Sequence, residues 1–255
     1  MRDLELLGLP GYGFKFFLWD QIEPFFRTDA RPDRVPQYEL KWNRKSLKEV
    51  LSKRLLSFSK GKISTFDEIT EEPCGIDDHL CLMANGSPRN LIRLCERILA
   101  IQGDRDSGAQ KVSMAAIDQA TVAHSEQLCI ENYGETTIKE LQRVGRELFT
   151  TNFVANDILK ISANGARNKI TGWANLGVVA QLGTVIVPPA TRPTHLCGVI
   201  DPCAVRLIHR AVPFGKFLKD RWLTCEHCTT DNLMNIDLYP EGEDPICRQC
   251  GRKLL

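Results

Sequence analysis

The chain has 255 residues, of which 43% are hydrophobic and 25% are charged. This length and composition are those of a folded protein with one large domain or a few small ones. No apolar run reaches the roughly 18 residues of a membrane-spanning helix, and the N-terminus lacks the basic and then apolar pattern of a secretory signal. We therefore expect a cytoplasmic protein without a membrane partner.

Charge is distributed unevenly along the chain, although the formal net charge is only +1. Between Ile158 and Lys219 a single acidic residue, Asp201, stands against eight basic ones, a net charge of +7 over 62 residues. The basic residues are Lys160, Arg167, Lys169, Arg192, Arg206, Arg210, Lys216 and Lys219. Such an excess of positive charge attracts phosphate groups, so this segment predicts a nucleic-acid-binding surface.

Residues 1–42 contain a strongly apolar run from Phe14 to Trp19, which predicts a buried strand. A short helix and an extended segment from Tyr38 to Trp42 follow. A single strand with one helix cannot bury both of its faces. This segment therefore requires a partner, either in the same chain or in another one.

Residues 43–108 are predicted to be helical. The first helix ends before Gly61 and has one apolar face at helical spacing, formed by Leu47, Val50, Leu51, Leu55 and Phe58. A second helix is predicted from Asp77 to Ala84. The third begins with Ser87 as N-cap and Pro88 in its first turn. Its apolar stripe consists of Leu91, Leu94, Cys95, Ile98 and Leu99. A polar stretch at residues 103–108 marks a domain boundary.

Residues 109–218 predict a winged helix-turn-helix from the order of their elements. Helical patterns cover Ser113–Asn132, Thr136–Leu148 and Ala163–Leu182. Two strands follow, Thr184–Pro188 and His195–Ile200, and a further helix begins at residue 201. In a winged helix the helix before the hairpin enters the major groove of DNA, and the hairpin tip contacts the backbone.

The basic residues of this domain fall where such a fold contacts DNA. Arg167, Asn168 and Lys169 lie near the start of the helix before the hairpin, Lys160 precedes that helix, and Arg192 lies at the hairpin tip. These five are the predicted DNA-binding residues. The alternative is a packing domain with a solvated basic face, or a winged helix that contacts another protein.

Residues 219–255 contain two Cys-x-x-Cys pairs, Cys225 with Cys228 and Cys247 with Cys250, separated by eighteen residues. Two residues between thiolates allow one tight turn to direct both sulfurs at one ion, and two such turns complete a tetrahedral site. Four thiolates leave no open position for water, so the predicted zinc ion is structural. The segment predicts a zinc ribbon with a short hairpin between the pairs, from Thr229 to Ile246.

His227 lies inside the first pair and is an alternative ligand, although a solvent-exposed histidine is the simpler interpretation. The other six cysteines show no pairing pattern and sit mostly among apolar residues; they are Cys74, Cys81, Cys95, Cys129, Cys197 and Cys203. We expect reduced thiols in a protein core, as in a reducing cytosol.

The stretch Asn85-Gly-Ser-Pro-Arg-Asn-Leu-Ile-Arg93 resembles the sensor-2 segment of AAA+ ATPases, particularly the branch of the origin-recognition initiators. It also looks like the lid of related P-loop ATPases of the signal-transduction and antiphage type. In such proteins an arginine at the start of the last lid helix reaches the γ-phosphate of the nucleotide. The resemblance implies that Arg89 is a nucleotide-sensing residue; an ordinary exposed arginine is the alternative.

The same resemblance extends over residues 14 to about 215. It implies that residues 1–42 are a remnant of an α/β ATPase core, that residues 43–108 are its helical lid, and that Arg31 and Arg34 are candidate arginine fingers. The chain departs from the family because it has no Gly-x-x-x-x-Gly-Lys-Ser/Thr phosphate loop. We therefore expect no independent enzyme activity, with ATP and Mg²⁺ bound only if a complete core is present. A truncated gene product, a split gene or an excerpt of a longer sequence would each explain why Met1 lies after the missing phosphate loop.

Three hypotheses for function follow. The chain is the regulatory and nucleic-acid-binding part of a P-loop ATPase switch, a stand-alone DNA-binding regulator, or a zinc-ribbon adaptor that contacts proteins. The expected partners are DNA and, for the first hypothesis, an ATPase core or neighbouring copies in an oligomer.

Overall fold

The computed structural model describes residues 42–186, 192–217, 222–233 and 246–254, with Pro10, Gly11, Phe25, Thr28 and Leu40. The chain divides into two compact units, Met1–Lys41 and Trp42–Leu255. The predicted strand from Phe14 to Trp19 and the candidate fingers Arg31 and Arg34 lie outside the described residues, as do residues 187–191 of the predicted hairpin tip.

The described residues are mainly helical with small antiparallel sheets, which confirms the predicted class. The helices are α1 (Arg44–Phe58), α2 (Ile76–Met83), α3 (Pro88–Arg105), α4 (Met114–Tyr133), α5 (Glu135–Val144), α6 (Ala163–Asn175), α7 (Pro202–Ile208) and α8 (Phe214–Phe217). A 3₁₀ turn covers Asp67–Ile69, and a π-helix covers Phe153–Leu159. The strands are β1 (Leu148–Thr150), β2 (Val179–Val185), β3 (Thr194–Val199), β4 (Trp222–Thr224) and β5 (Asp231–Leu233). Within these described ranges no helix is both long enough and apolar enough to cross a membrane.

Two of the first helices begin with side-chain caps, the predicted one at Ser87 and one at Asn43 that the sequence analysis did not predict. The Ser87 hydroxyl accepts the N–H of Asn90 at the start of α3, with Pro88 in the first turn, and the Asn43 side chain accepts the N–H of Ser46 at the start of α1. Each cap satisfies a backbone N–H that has no partner inside its helix.

The apolar faces of these helices are narrower than predicted. Leu47 and Leu51 of α1 are buried, but Phe58, on the same face two turns further on, is 80% exposed. The last turn of α1 therefore extends beyond the helices that cover its first half. Leu99 of α3 is 48% exposed, because it lies one position away from the buried Ile98 and thus at the edge of the stripe.

A three-stranded antiparallel sheet follows α5, with strand order β1-β3-β2. Strand β1 pairs Leu148 with Gly198 and Thr150 with Leu196. The sequence prediction placed Leu148 at the end of a helix, and this was wrong. Helix α5 ends at Val144 because Gly145 adopts a left-handed conformation with φ of 69°, a common helix C-cap.

The helix predicted to run from Ala163 to Leu182 ends at Asn175, and β2 begins at Val179. Two adjacent β-branched residues, Val178 and Val179, are buried there and favour an extended chain. Strand β2 then pairs with β3 as a hairpin, with an irregularity between Gln181 and Gly183, and it begins before the predicted strand Thr184–Pro188.

One continuous core joins the segments that were predicted as separate domains. It extends from Leu47 in α1 to Trp222 in β4, and α3 packs against α4 across the predicted boundary at 108. A buried carboxylate adds a polar link: Asp201 caps α7 through the N–H of Ala204, and it accepts hydrogen bonds from Tyr133 and Asn85.

Candidate metal centre and nucleic-acid interface

The four cysteines of the C-terminal segment converge on one point. Their sulfur atoms all lie within 4.8 Å of one another. The Sγ atoms of Cys225 and Cys250 are 3.6 Å apart, and those of Cys228 and Cys247 are 3.5 Å apart. A disulfide would require about 2.05 Å, whereas Zn–S bonds of about 2.3 Å in a tetrahedron place the sulfurs about 3.8 Å apart. The geometry therefore fits a metal ion such as zinc.

The two Cys-x-x-Cys turns have the same backbone geometry. In each turn, the residue four positions after the first cysteine donates its backbone N–H to the carbonyl oxygen of that cysteine. Thr229 donates to Cys225 and Gly251 donates to Cys247, both with an N–O distance of 2.9 Å. Both residues adopt a left-handed backbone, with φ of 58° for Thr229 and 70° for Gly251. Glycine takes this conformation without cost, whereas threonine is strained in it. A glycine after the second pair is a sequence signal for such a turn, whereas a threonine after the first pair is not.

Polar contacts favour the metal-binding form of one of the four sulfurs, that of Cys247. The amide of Asn232, which is 3% exposed, lies 3.6 Å from Cys247 Sγ, donates to Thr230 O, and accepts the N–H of Arg248. Burial raises the pKa of the Cys247 thiol, but hydrogen bonds from the backbone N–H groups of Cys250 and Gln249 outweigh it and lower this pKa to about 6. The thiolate is the form that binds metals.

His227 does not belong to the cluster. It is exposed, and its Nδ1 lies 2.7 Å from a guanidinium nitrogen of Arg252. The simpler interpretation of this histidine is therefore confirmed.

The cysteine cluster is attached to the start of α1. The Arg44 guanidinium forms an ion pair with Asp231, whose carboxylate also accepts the Thr224 hydroxyl. The Asn43 amide donates to the Thr229 hydroxyl at 3.4 Å. Short strands β4 and β5 pair beside the first turn, Trp222 opposite Leu233. Most of the hairpin predicted between the two cysteine pairs, residues 234–245, lies outside the described part.

The exposed face of α6 carries polar side chains and no acidic residue. Ala166, Ile170 and Trp173 are buried, and the opposite face exposes Asn164, Arg167, Asn168, Thr171 and Asn175. The Arg167 guanidinium donates to Asn164 Oδ1 at 3.0 Å, which holds it along the helix surface.

One acidic residue of α5 fixes α6 from its inner side. Glu140 accepts the indole N–H of Trp173 at 3.2 Å and forms an ion pair with Lys169. Trp173 also packs edge-on against Phe149 of β1, with ring centroids 6.0 Å apart. Lys169 is thus exposed but paired, so its charge is less available to a phosphate than that of Arg167.

The remaining basic residues differ in exposure. Lys160, between the π-helix and α6, and Arg192, just before β3, are exposed. Arg206 is fully buried and paired with Asp118, so it contributes nothing to the basic surface. Charge counting along the sequence does not reveal this, because burial of an arginine depends on partners distant in the chain.

Arg89 lies in the first turn of α3 and is exposed. Among the described residues its side chain has no hydrogen bond or ion pair.

Comparison of the chain with models of protein families and with curated proteins found no match. The candidate sites therefore depend on the chemistry and geometry of the chain itself.

Proposed function

We propose that this chain is the nucleic-acid-binding and regulatory part of a P-loop ATPase switch, and that residues 109–218 bind duplex DNA as a winged helix. The observation that carries the proposal is the acid-free exposed face of α6, beside a hairpin whose β3 end carries Arg192.

The order of elements supports a winged helix. A helix, a short strand, a helical turn, a second helix and two paired strands follow one another as α5, β1, Phe153–Leu159, α6, β2 and β3. The short β1 joins the edge of the hairpin sheet by pairing with β3. In this arrangement α6 is the helix that enters the major groove.

The side chains on α6 are types that read base edges. Arginine pairs with guanine in a bidentate manner, asparagine pairs with adenine, and the methyl group of threonine contacts that of thymine. Arg167, Asn168 and Thr171 are exposed on neighbouring turns of this face. Lys160 and Arg192 flank it and would contact phosphates, which position the protein without selecting a sequence.

The C-terminal segment is proposed to be a zinc ribbon with a structural role. Four sulfurs leave no position for substrate or water, and zinc is the usual ion for a tetrahedral site of four thiolates. The bound ion would complete the fold of β4, β5 and the two turns, and it would thereby fix Asp231 against Arg44.

The ATPase part of the proposal depends on Arg89. An arginine in the first turn of a helix adds a charge-assisted donor beside N–H groups that already favour anions. Arg89→Ala should leave the unfolding free energy of this chain unchanged, but should reduce ATP turnover by roughly 100-fold in a form that includes a nucleotide-binding core. Normal ATP turnover in that variant would contradict the ATPase part of the proposal, but it would not bear on DNA binding.

The DNA proposal is tested by fluorescence anisotropy with duplex DNA over a salt series. Each phosphate contact contributes about 0.9 to the slope of log affinity against log salt, so Arg192→Ala should reduce the slope by about 1. Selection from a random duplex library should give a preferred sequence that Arg167→Ala changes.

A matched control is Arg105→Ala, which removes one exposed arginine at the end of α3, a helix that is not part of the proposed DNA surface. It should leave both affinity and preferred sequence unchanged. Equal affinity for wild type, Arg167→Ala and Arg192→Ala would refute DNA binding by this face.

A further inference from the structure

A small cleft of about 180 Å³ lies where the start of α1, the turn before α3 and the cysteine cluster meet. It is smaller than the roughly 300–1,000 Å³ of sites for drug-sized ligands, so its ligand must be small. The residues that matter for its chemistry are Asn43, Arg44, Trp222, Asp231 and Arg248. None of these five residues belongs to the proposed DNA surface, and none is one of the four clustered cysteines.

Two hydrogen-bond donors of this cleft have no partner among the described residues. Trp222 is 8% exposed, and its indole N–H is buried without a hydrogen bond to any described residue. The Nε of Arg44 is likewise buried and unpaired within the described ranges. Buried polar groups in proteins are nearly always satisfied, so two such donors at one cleft require an explanation. Both groups can only donate, and the missing partner is therefore an acceptor.

Two arginines and the start of a helix meet at the cleft, and each can contact an anion. Arg44 uses its terminal nitrogen to pair with Asp231, which balances one positive charge. Arg248 is exposed and has no ion pair in the described part of the chain, so these three side chains carry one net positive charge, which offsets half of the −2 charge of a zinc ion with four thiolates. The N-terminus of the 15-residue α1 opens here as well. Its unpaired N–H groups and its dipole add further positive potential.

We propose that this cleft binds a small oxyanion of the phosphate class, free in solution or carried by a small molecule. The anion accepts hydrogen bonds from Trp222 Nε1 and Arg44 Nε and pairs with Arg248. It thereby joins α1 to the cysteine cluster at a second point beside the Arg44–Asp231 ion pair. The site is independent of the DNA proposal, since α6 contributes no residue to it.

The test uses the zinc-loaded full chain and the indole ¹H–¹⁵N signal of Trp222, assigned with Trp222→Phe. Titration with inorganic phosphate at constant ionic strength should shift this signal with a dissociation constant on the order of 1 mM. Arg248→Ala should weaken binding by about 10-fold or more, because it removes one charge-assisted contact. Arg44→Lys, which keeps the charge but lacks Nε–H, should also weaken it.

The matched control is Arg252→Ala, which removes an exposed arginine from the second cysteine turn outside the cleft. It should bind phosphate as wild type does. Equal weakening by Arg248→Ala and Arg252→Ala would show general attraction to positive charge and overturn the proposal. So would a Trp222 signal that phosphate does not move, or one that duplex DNA moves while phosphate does not.

Discussion

Arg206 provides the sharpest test of how this structure is held together. Its guanidinium is fully buried and donates to Asp118 at 2.9 Å, to the Thr121 hydroxyl, and to the carbonyls of His209 and Val212. These contacts join α4, α7 and the segment before α8. The sequence placed this arginine in a basic stretch, whereas the structure makes it a core residue.

Replacing Arg206 by alanine should destabilise the protein by about 3 kcal/mol. Removal of one partner from a buried ion pair costs about 3–5 kcal/mol, because the other charge loses its partner. Asp118 is 32% exposed and keeps the N–H of Phe214, so water and this bond compensate it in part. The lower end of the range therefore applies. Such a loss is a large share of the roughly 5–15 kcal/mol that stabilises a typical domain.

The measurement is urea unfolding followed by circular dichroism. Arg210→Ala is the control, since it makes the same charge change at an exposed site four residues away and should stay within about 0.5 kcal/mol of wild type. If Arg206→Ala costs no more than Arg210→Ala, the buried network does not stabilise the protein and the reasoning is refuted.

Three further predictions concern the metal, the pH dependence and the DNA surface. Cys225→Ser should lower the zinc content to well below one ion per chain, and full zinc retention in this variant would contradict the proposed site. A chelator should unfold the C-terminal segment that contains the cysteines while the circular dichroism signal of the helices persists. Burial, with Arg97 and Arg93 nearby, lowers the pKa of His124 from 6.5 to about 4. Between about pH 7 and pH 5 the His124 side chain becomes protonated in the unfolded chain but stays neutral in the folded chain. The free energy of unfolding should therefore fall by about 2 kcal/mol over this range. His124→Gln should flatten that dependence, and an unchanged slope would disprove it. Lys169→Ala should weaken DNA binding less than Arg167→Ala, because Lys169 is already paired with Glu140; the reverse order in anisotropy would contradict that.

Local sequence signals predicted the parts of this fold that depend on local physics. Ser87 and Pro88 marked the start of α3 correctly, since a cap bonds to residues three positions away. The spacing of the cysteines predicted their convergence, because each turn directs two sulfurs at one point whatever the rest of the chain does.

Features that depend on distant contacts were missed for a physical reason. Strand β1 has three residues, too few to show an alternating pattern, and it forms only by pairing with β3 some fifty residues later. The ion pair between Arg44 and Asp231 links positions 187 residues apart, and no local pattern records it. Thr229 likewise takes a conformation that its residue type disfavours, imposed by the turn around the cysteines.

The buried carboxylate of Asp201 has a consequence for how small a piece of this protein can fold. It holds Tyr133 of α4, the first turn of α7 and Asn85 of the turn before α3 at the same time. A fragment that began at residue 109 would lose Asn85 and would expose the face of α4 that α3 covers. We therefore expect the helices on either side of residue 108 to unfold as one cooperative unit, so that limited proteolysis does not separate them by cleavage near 108.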